Sequence, residues 1–109
     1  MKRILWISRH EPLEDQLDEL KKRFGEVEIE QVSQYFNSGK SVYNLMQEMD
    51  CDAIVTILPI DYMAELNDLG VNPLIAIMRR YYNSKDKAKF SHEKFVRVNE
   101  LELQDLVNH

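Results

Sequence analysis

The chain is poor in the residues that most often announce chemistry. It has one cysteine, Cys51, which excludes an internal disulfide and a cysteine-based zinc site. Its histidines, His10, His92 and His109, are far apart, and none has a spaced histidine or cysteine partner, so no metal centre is expected. Glycine occurs three times, never as Gly-x-Gly-x-x-Gly, so a dinucleotide cofactor lacks support and no cofactor is expected. No apolar run approaches the roughly 20 residues of a membrane helix. The run after the basic start Met1-Lys2-Arg3 is too short for a signal peptide. No membrane partner is expected, and a cytoplasmic location is. Positive charge is the scarcer sign: 14 Lys and Arg against 19 Asp and Glu give a net charge of −5. That balance argues against duplex nucleic acid as a partner, since duplex binding rests on clustered cations, but it leaves room for a local cationic pocket.

What is present is a set of apolar runs. At 109 residues the expectation is one domain, 1–109, around one core. Ile4–Ile7, Ala53–Leu58 and Leu74–Met78 are nearly unbroken, as are strands buried on both faces in the middle of a parallel sheet. Val27–Val32 alternates apolar with polar and reads as a strand nearer an edge. Pro12–Phe24 reads as a helix, with Leu13, Leu17, Leu20 and Phe24 on one face, acids early, bases late and Gly25 as its stop. Ser41 to Met49 is a second helix. Tyr62–Leu69 is a third, with Asp61 as its cap and Gly70 closing it. Asn83–His92 is polar and reads as a loop or hairpin connection, with His92 solvated. Phe95–Val98 is a last short strand, and Leu101–Val107 a tail helix or turn. Cys51 precedes an apolar run and is expected to be a small core residue. Strands alternating with helices predict an α/β three-layer sandwich with a mainly parallel sheet.

The candidate site follows from that topology. Ligands of open α/β sheets collect at the carboxyl ends of the strands. Ser8, Arg9 and His10 directly follow the first buried strand; Arg79 and Arg80 follow another. All five are expected to face one cleft, where their charge favours a small anion. The bland alternative is that Ser8 caps the first helix, with Arg9 and His10 as loop residues and Arg79 and Arg80 in surface ion pairs. Tyr81 and Tyr82 can stack on bases or serve as packing aromatics. Gly39-Lys40-Ser41 ends like a P-loop but lacks its upstream glycine, the place being held by Gln34. A helix-start turn is the better reading, in which Lys40 and Ser41 can still donate to a phosphate.

A strand ending in Ser8, followed by His10, Pro12, Leu13 and Gln16, resembles the small single-domain CRISPR-associated proteins of the CARF-like, ring-nuclease group. The resemblance covers the first strand and helix and the general strand–helix order. It implies a homodimeric Rossmann-like protein that binds a cyclic oligoadenylate across its two-fold axis. It further implies metal-independent ring cleavage in antiviral defence, a ribose 2′-hydroxyl attacking the adjacent phosphate. Ser8 would orient the phosphate or the 2′-hydroxyl. His10 would be the general acid or base, and Arg9, Arg79 and Arg80 would bind phosphate. The competing expectation is a non-catalytic nucleotide-sensing or protein-interaction module on the same fold. A small partner subunit with only a dimer face is a third.

Overall fold

Among the described residues five strands and three helices follow one another, alternating as far as the fourth strand: β1 (Lys2–Ile7), α1 (Glu14–Phe24), β2 (Val27–Val32), α2 (Gly39–Glu48), β3 (Ala53–Thr56), α3 (Ile60–Asp68), β4 (Leu74–Tyr82) and β5 (Ala88–Arg97). The structure is a computed structural model and describes residues 1–56, 58–82 and 88–97. The sheet order is β2-β1-β3-β4-β5. The first four strands are parallel, and β5 is antiparallel to β4. The mainly parallel α/β sandwich is therefore present. Its three middle strands are the three apolar runs, and the alternating Val27–Val32 is an edge.

Strand alternation divides the core between two faces. Ile4 and Trp6 of β1, Val55, Leu74 and Phe95 pack under Leu20 of α1. Leu5 and Ile54 point the other way, against Val42 and Met46 of α2 and Leu66 of α3. Met63 of α3 covers Ile75, Ile77 and Val96 further along that face. Among the described residues one helix thus covers one side and two cover the other. Cys51 is buried with the α2–α3 core, as its sequence context implies, and burial pushes its thiol pKa up.

The structure corrects several boundaries. α1 starts at Glu14, not Pro12, because Leu13 is its extended N-cap residue. α2 starts at Gly39, where Ser38 caps it by accepting from the Ser41 N–H at 3.1 Å. Asp61 lies inside the first turn of α3 and does not cap it; Pro59 is the N-cap residue. The largest correction is β5. Residues 88–92 were expected in a connection, but they belong to a ten-residue strand paired along β4. Ile57, residues 83–87, Val98 and the tail at 101–107 lie outside the described residues.

Candidate functional site

The parallel strands send their carboxyl ends to one edge, and the chain after β1 is tied there by its own polar groups. The Ser8 N–H donates to the Val32 carbonyl at 3.1 Å, and Gln31 Nε2 donates to the Ser8 carbonyl at the same distance. Ser8 Oγ accepts from the His10 N–H at 3.1 Å, closing a tight turn. Trp6 Nε1 reaches over to the His10 carbonyl at 2.8 Å. Gln16 is buried and uses both ends of its amide. Its Oε1 accepts from the Leu13 N–H at 2.8 Å, and its Nε2 faces Met78 Sδ at 3.6 Å. Ser8, Leu13 and Gln16 therefore all have structural work in the β1–α1 turn. Ser8 does not cap α1, which starts six residues later.

Between the ends of β1 and β2 lies an open groove of ≈ 390 Å³ lined by Ile7, Ser8, Arg9, Val32, Ser33, Gln34 and Tyr35. The Tyr35 side of it is almost bare, with that residue 94% exposed. Arg9 is exposed as well. Other described arginines are engaged: Arg3 with Glu28 and Glu30, Arg23 with Glu19, and Arg79 with Glu93. Arg97 donates to the Asn72 carbonyl. Among the described residues Arg9 makes no side-chain hydrogen bond or ion pair. An exposed, unpaired guanidinium beside an exposed phenol ring, two hydroxyls and an amide can receive an anion joined to an aromatic ring.

The expected site residues do not all meet in this groove. Ser8 and Arg9 line it; His10 is exposed on the adjoining turn. Arg79 and Arg80 are on the same edge of the sheet but on β4, two places from β1, and Arg79 is ion-paired to Glu93 at 3.2 Å. At the start of α2 the two N–H groups that a phosphate would meet at Lys40 and Ser41 are already bonded within the chain. Glu65 of α3 accepts from the Lys40 N–H, Ser38 takes the Ser41 N–H, and Ser41 Oγ donates to the Ser38 carbonyl at 2.7 Å. Lys40 Nζ lies 5.2 Å from the Tyr43 ring. Gly39 is explained by packing: a Cβ there would stand 2.4 Å from the Tyr62 carbonyl oxygen. Sequence reading passed over Ser33, Gln34 and Tyr35. The strand-end rule applied to β2 as well as β1 would have found them, since paired parallel strands end together.

His92 overturns its reading as a solvated loop residue. Its side chain is 4% exposed, and its Nε2 meets Glu19 Oε1 at 2.8 Å. Glu19 also accepts from the Phe95 N–H and from Arg23 Nε, and Arg23 Nη2 donates to the Phe95 carbonyl. Burial raises the Glu19 pKa, but the bonds from His92, Phe95 and Arg23 outweigh it and hold the carboxyl below its ordinary range. Among the described residues, no three of His, Cys, Asp and Glu are grouped to hold a metal ion. No described helix is long and apolar enough to cross a membrane.

Compared with protein-family models, curated proteins and solved structures, the chain matches none.

Proposed function

We propose that the chain binds a small anionic nucleotide in the β1–β2 groove, and that its ligand class is the cyclic oligoadenylate implied by the Ser8–Gln16 resemblance. The unpaired Arg9 beside Tyr35 is the observation that carries this reading. Arg9 binds phosphate, Tyr35 stacks on a base, and Ser8 donates its hydroxyl proton while its oxygen keeps the His10 N–H. A ring-shaped ligand calls for two such grooves, so the active species is a homodimer of this CRISPR-associated type.

Cleavage is the finer proposal. A 2′-hydroxyl attacking the adjacent phosphate forms a 2′,3′-cyclic phosphate and breaks the bond from phosphorus to the 5′-oxygen, which leaves as a hydroxyl. The step needs alignment, a base for the 2′-proton, a proton from water for the leaving oxygen and charge stabilisation, and no metal is required by that chemistry. His10 is the base and Arg9 the cation. The non-catalytic sensor is the second reading, favoured by the absence of His10 from the groove lining.

The test is titration with cyclic tri-, tetra- and hexa-adenylate in EDTA, with products separated afterwards. Binding by the parent protein is expected, and Arg9→Ala should weaken it by about 1.5–3 kcal/mol, the worth of a charged hydrogen bond. Cleavage lost in His10→Ala with binding kept supports the nuclease; binding without cleavage supports the sensor. No binding of any ring, or equal binding by Arg9→Ala, defeats the groove reading.

A further inference from the structure

Between β1 and α1 the chain runs through Ser8, Arg9 and His10 in neither helix nor strand. Segments of this kind are commonly the loose part of a fold. Here four successive peptide planes are held nonetheless. The first carries the Ser8 N–H, which donates to the Val32 carbonyl as the last bond of the ladder with β2. The second precedes Arg9 and carries the Ser8 carbonyl, which accepts from Gln31 Nε2 at 3.1 Å. The third follows Arg9 and carries the His10 N–H, which donates to Ser8 Oγ at 3.1 Å. The fourth carries the His10 carbonyl, which accepts from Trp6 Nε1 at 2.8 Å. All but the first are held by side chains, and Arg9 sits between the second and the third.

Trp6 is a rigid donor. It is 5% exposed, and its ring meets Phe95 in a T-shaped contact, with centroids 6.3 Å apart and planes at 89°. Phe95 is fixed in turn, its N–H donating to Glu19 and its carbonyl accepting from Arg23. A buried indole N–H needs an acceptor in any case. Gln31 does not: it is exposed to water, yet its amide is spent on the same turn. Two side chains from two neighbouring strands thus converge on the backbone of one arginine.

We infer that Trp6 and Gln31 are positioning residues for Arg9, on the reading that Arg9 receives the phosphate of a ligand in the β1–β2 groove. They fix the backbone from which the guanidinium extends. The guanidinium itself makes no hydrogen bond or ion pair among the described residues, so it stays available. Ordering the backbone of one residue costs entropy. In this turn folding meets that cost in advance, and binding does not have to. Neither Trp6 nor Gln31 lines the groove, so both act through Arg9 and not on the ligand.

The experiment combines NMR relaxation of the Arg9 amide with titration by cyclic tri-, tetra- and hexa-adenylate. The proteins are the full-length parent, Trp6→Phe, Gln31→Met, the double variant, and the same set carrying Arg9→Ala. Trp6 is the chain's one tryptophan, so its indole N–H gives a single signal that reports whether the bond to His10 is kept. The Arg9 amide should be rigid in the parent, with an order parameter of about 0.85, and should fall below about 0.6 in the double variant. Ring binding should weaken roughly 5- to 30-fold in the double variant, the entropy of one backbone residue transferred from folding to binding. In the Arg9→Ala background the same two changes should cost nothing further, which loss of general stability would not produce. Melting temperatures equal to the parent's establish that the variants fold. If Trp6→Phe does not, benzothienylalanine at that position keeps the two fused rings and lacks the N–H. Equal losses with and without Arg9, or an Arg9 amide as rigid in the double variant as in the parent, would overturn the assignment. If no ring binds the parent, or Arg9→Ala binds as well as the parent, it is the groove reading that fails. The amide then decides alone: loosened, Trp6 and Gln31 order the turn; rigid, they do not.

Discussion

Thr56 is buried at the end of β3, and among the described residues its hydroxyl has no hydrogen-bond partner. A buried donor left unmade costs about 1–3 kcal/mol. Thr56→Val keeps the branched shape that suits a strand and removes the orphaned oxygen. Its expected effect is a gain of about 1 kcal/mol, read from the urea midpoint. A loss of stability would show that the hydroxyl is satisfied in solution. Arg9 is the counterpart at the surface, a group whose partners are missing at no cost because water solvates it. The two residues lie at the same edge of the sheet, and only the solvated one can be held in readiness without destabilising the fold.

At the scale of elements, α2 and α3 end in the same way. Asp50 N–H bonds to Gln47 and Cys51 N–H to Met46; Gly70 N–H bonds to Asn67 and Val71 N–H to Leu66. Both are Schellman closures, each with its two apolar residues in one core. The left-handed position is Gly70 in α3, at φ 87°, but Asp50 in α2, at φ 54°. Asp50→Gly is therefore expected to stabilise by up to about 1 kcal/mol, measured by thermal or urea unfolding. Gly39→Ala should go against the helix scale. An open helical site gains about 1 kcal/mol from alanine. Here the new Cβ would stand 2.4 Å from the Tyr62 carbonyl oxygen and 2.9 Å from Glu65 Cβ, and a loss of about 1–3 kcal/mol is expected. That contact also explains why Gly39-Lys40-Ser41 misled: the local sequence resembles a phosphate loop, while the cause of its glycine is a helix distant in sequence. The middle strands were legible because Ile4–Ile7 and Leu74–Met78 are apolar on both faces, a purely local pattern. Ala88–His92 was not legible, because what places that half of β5 in the sheet is its pairing with β4, which no local pattern records.

For the whole molecule, the Glu19–His92–Arg23 cluster fastens α1 to β5 across 73 residues of sequence. No periodicity records such a pair, which is why His92 read as solvated. Burial works to raise the Glu19 pKa, and its hydrogen bonds more than reverse that, so the folded value lies below the ordinary 4.5. Its contribution to stability is present above that ordinary value and is lost as pH falls through the folded one. Urea midpoints should therefore drop in acid more steeply for the parent than for Glu19→Gln; parallel acid limbs would show that the cluster carries no such linkage. The position of β1 has a consequence of another kind. β1 is synthesised before both of its neighbours, yet it sits between them. After Val32 has emerged, the edge that β3 will cover stays bare until Thr56 follows, roughly one to five seconds at ~5–20 residues per second. A ribosome that stalls in that interval holds out an apolar strand with unpaired amides, the surface that holdase chaperones bind and that other nascent chains can extend.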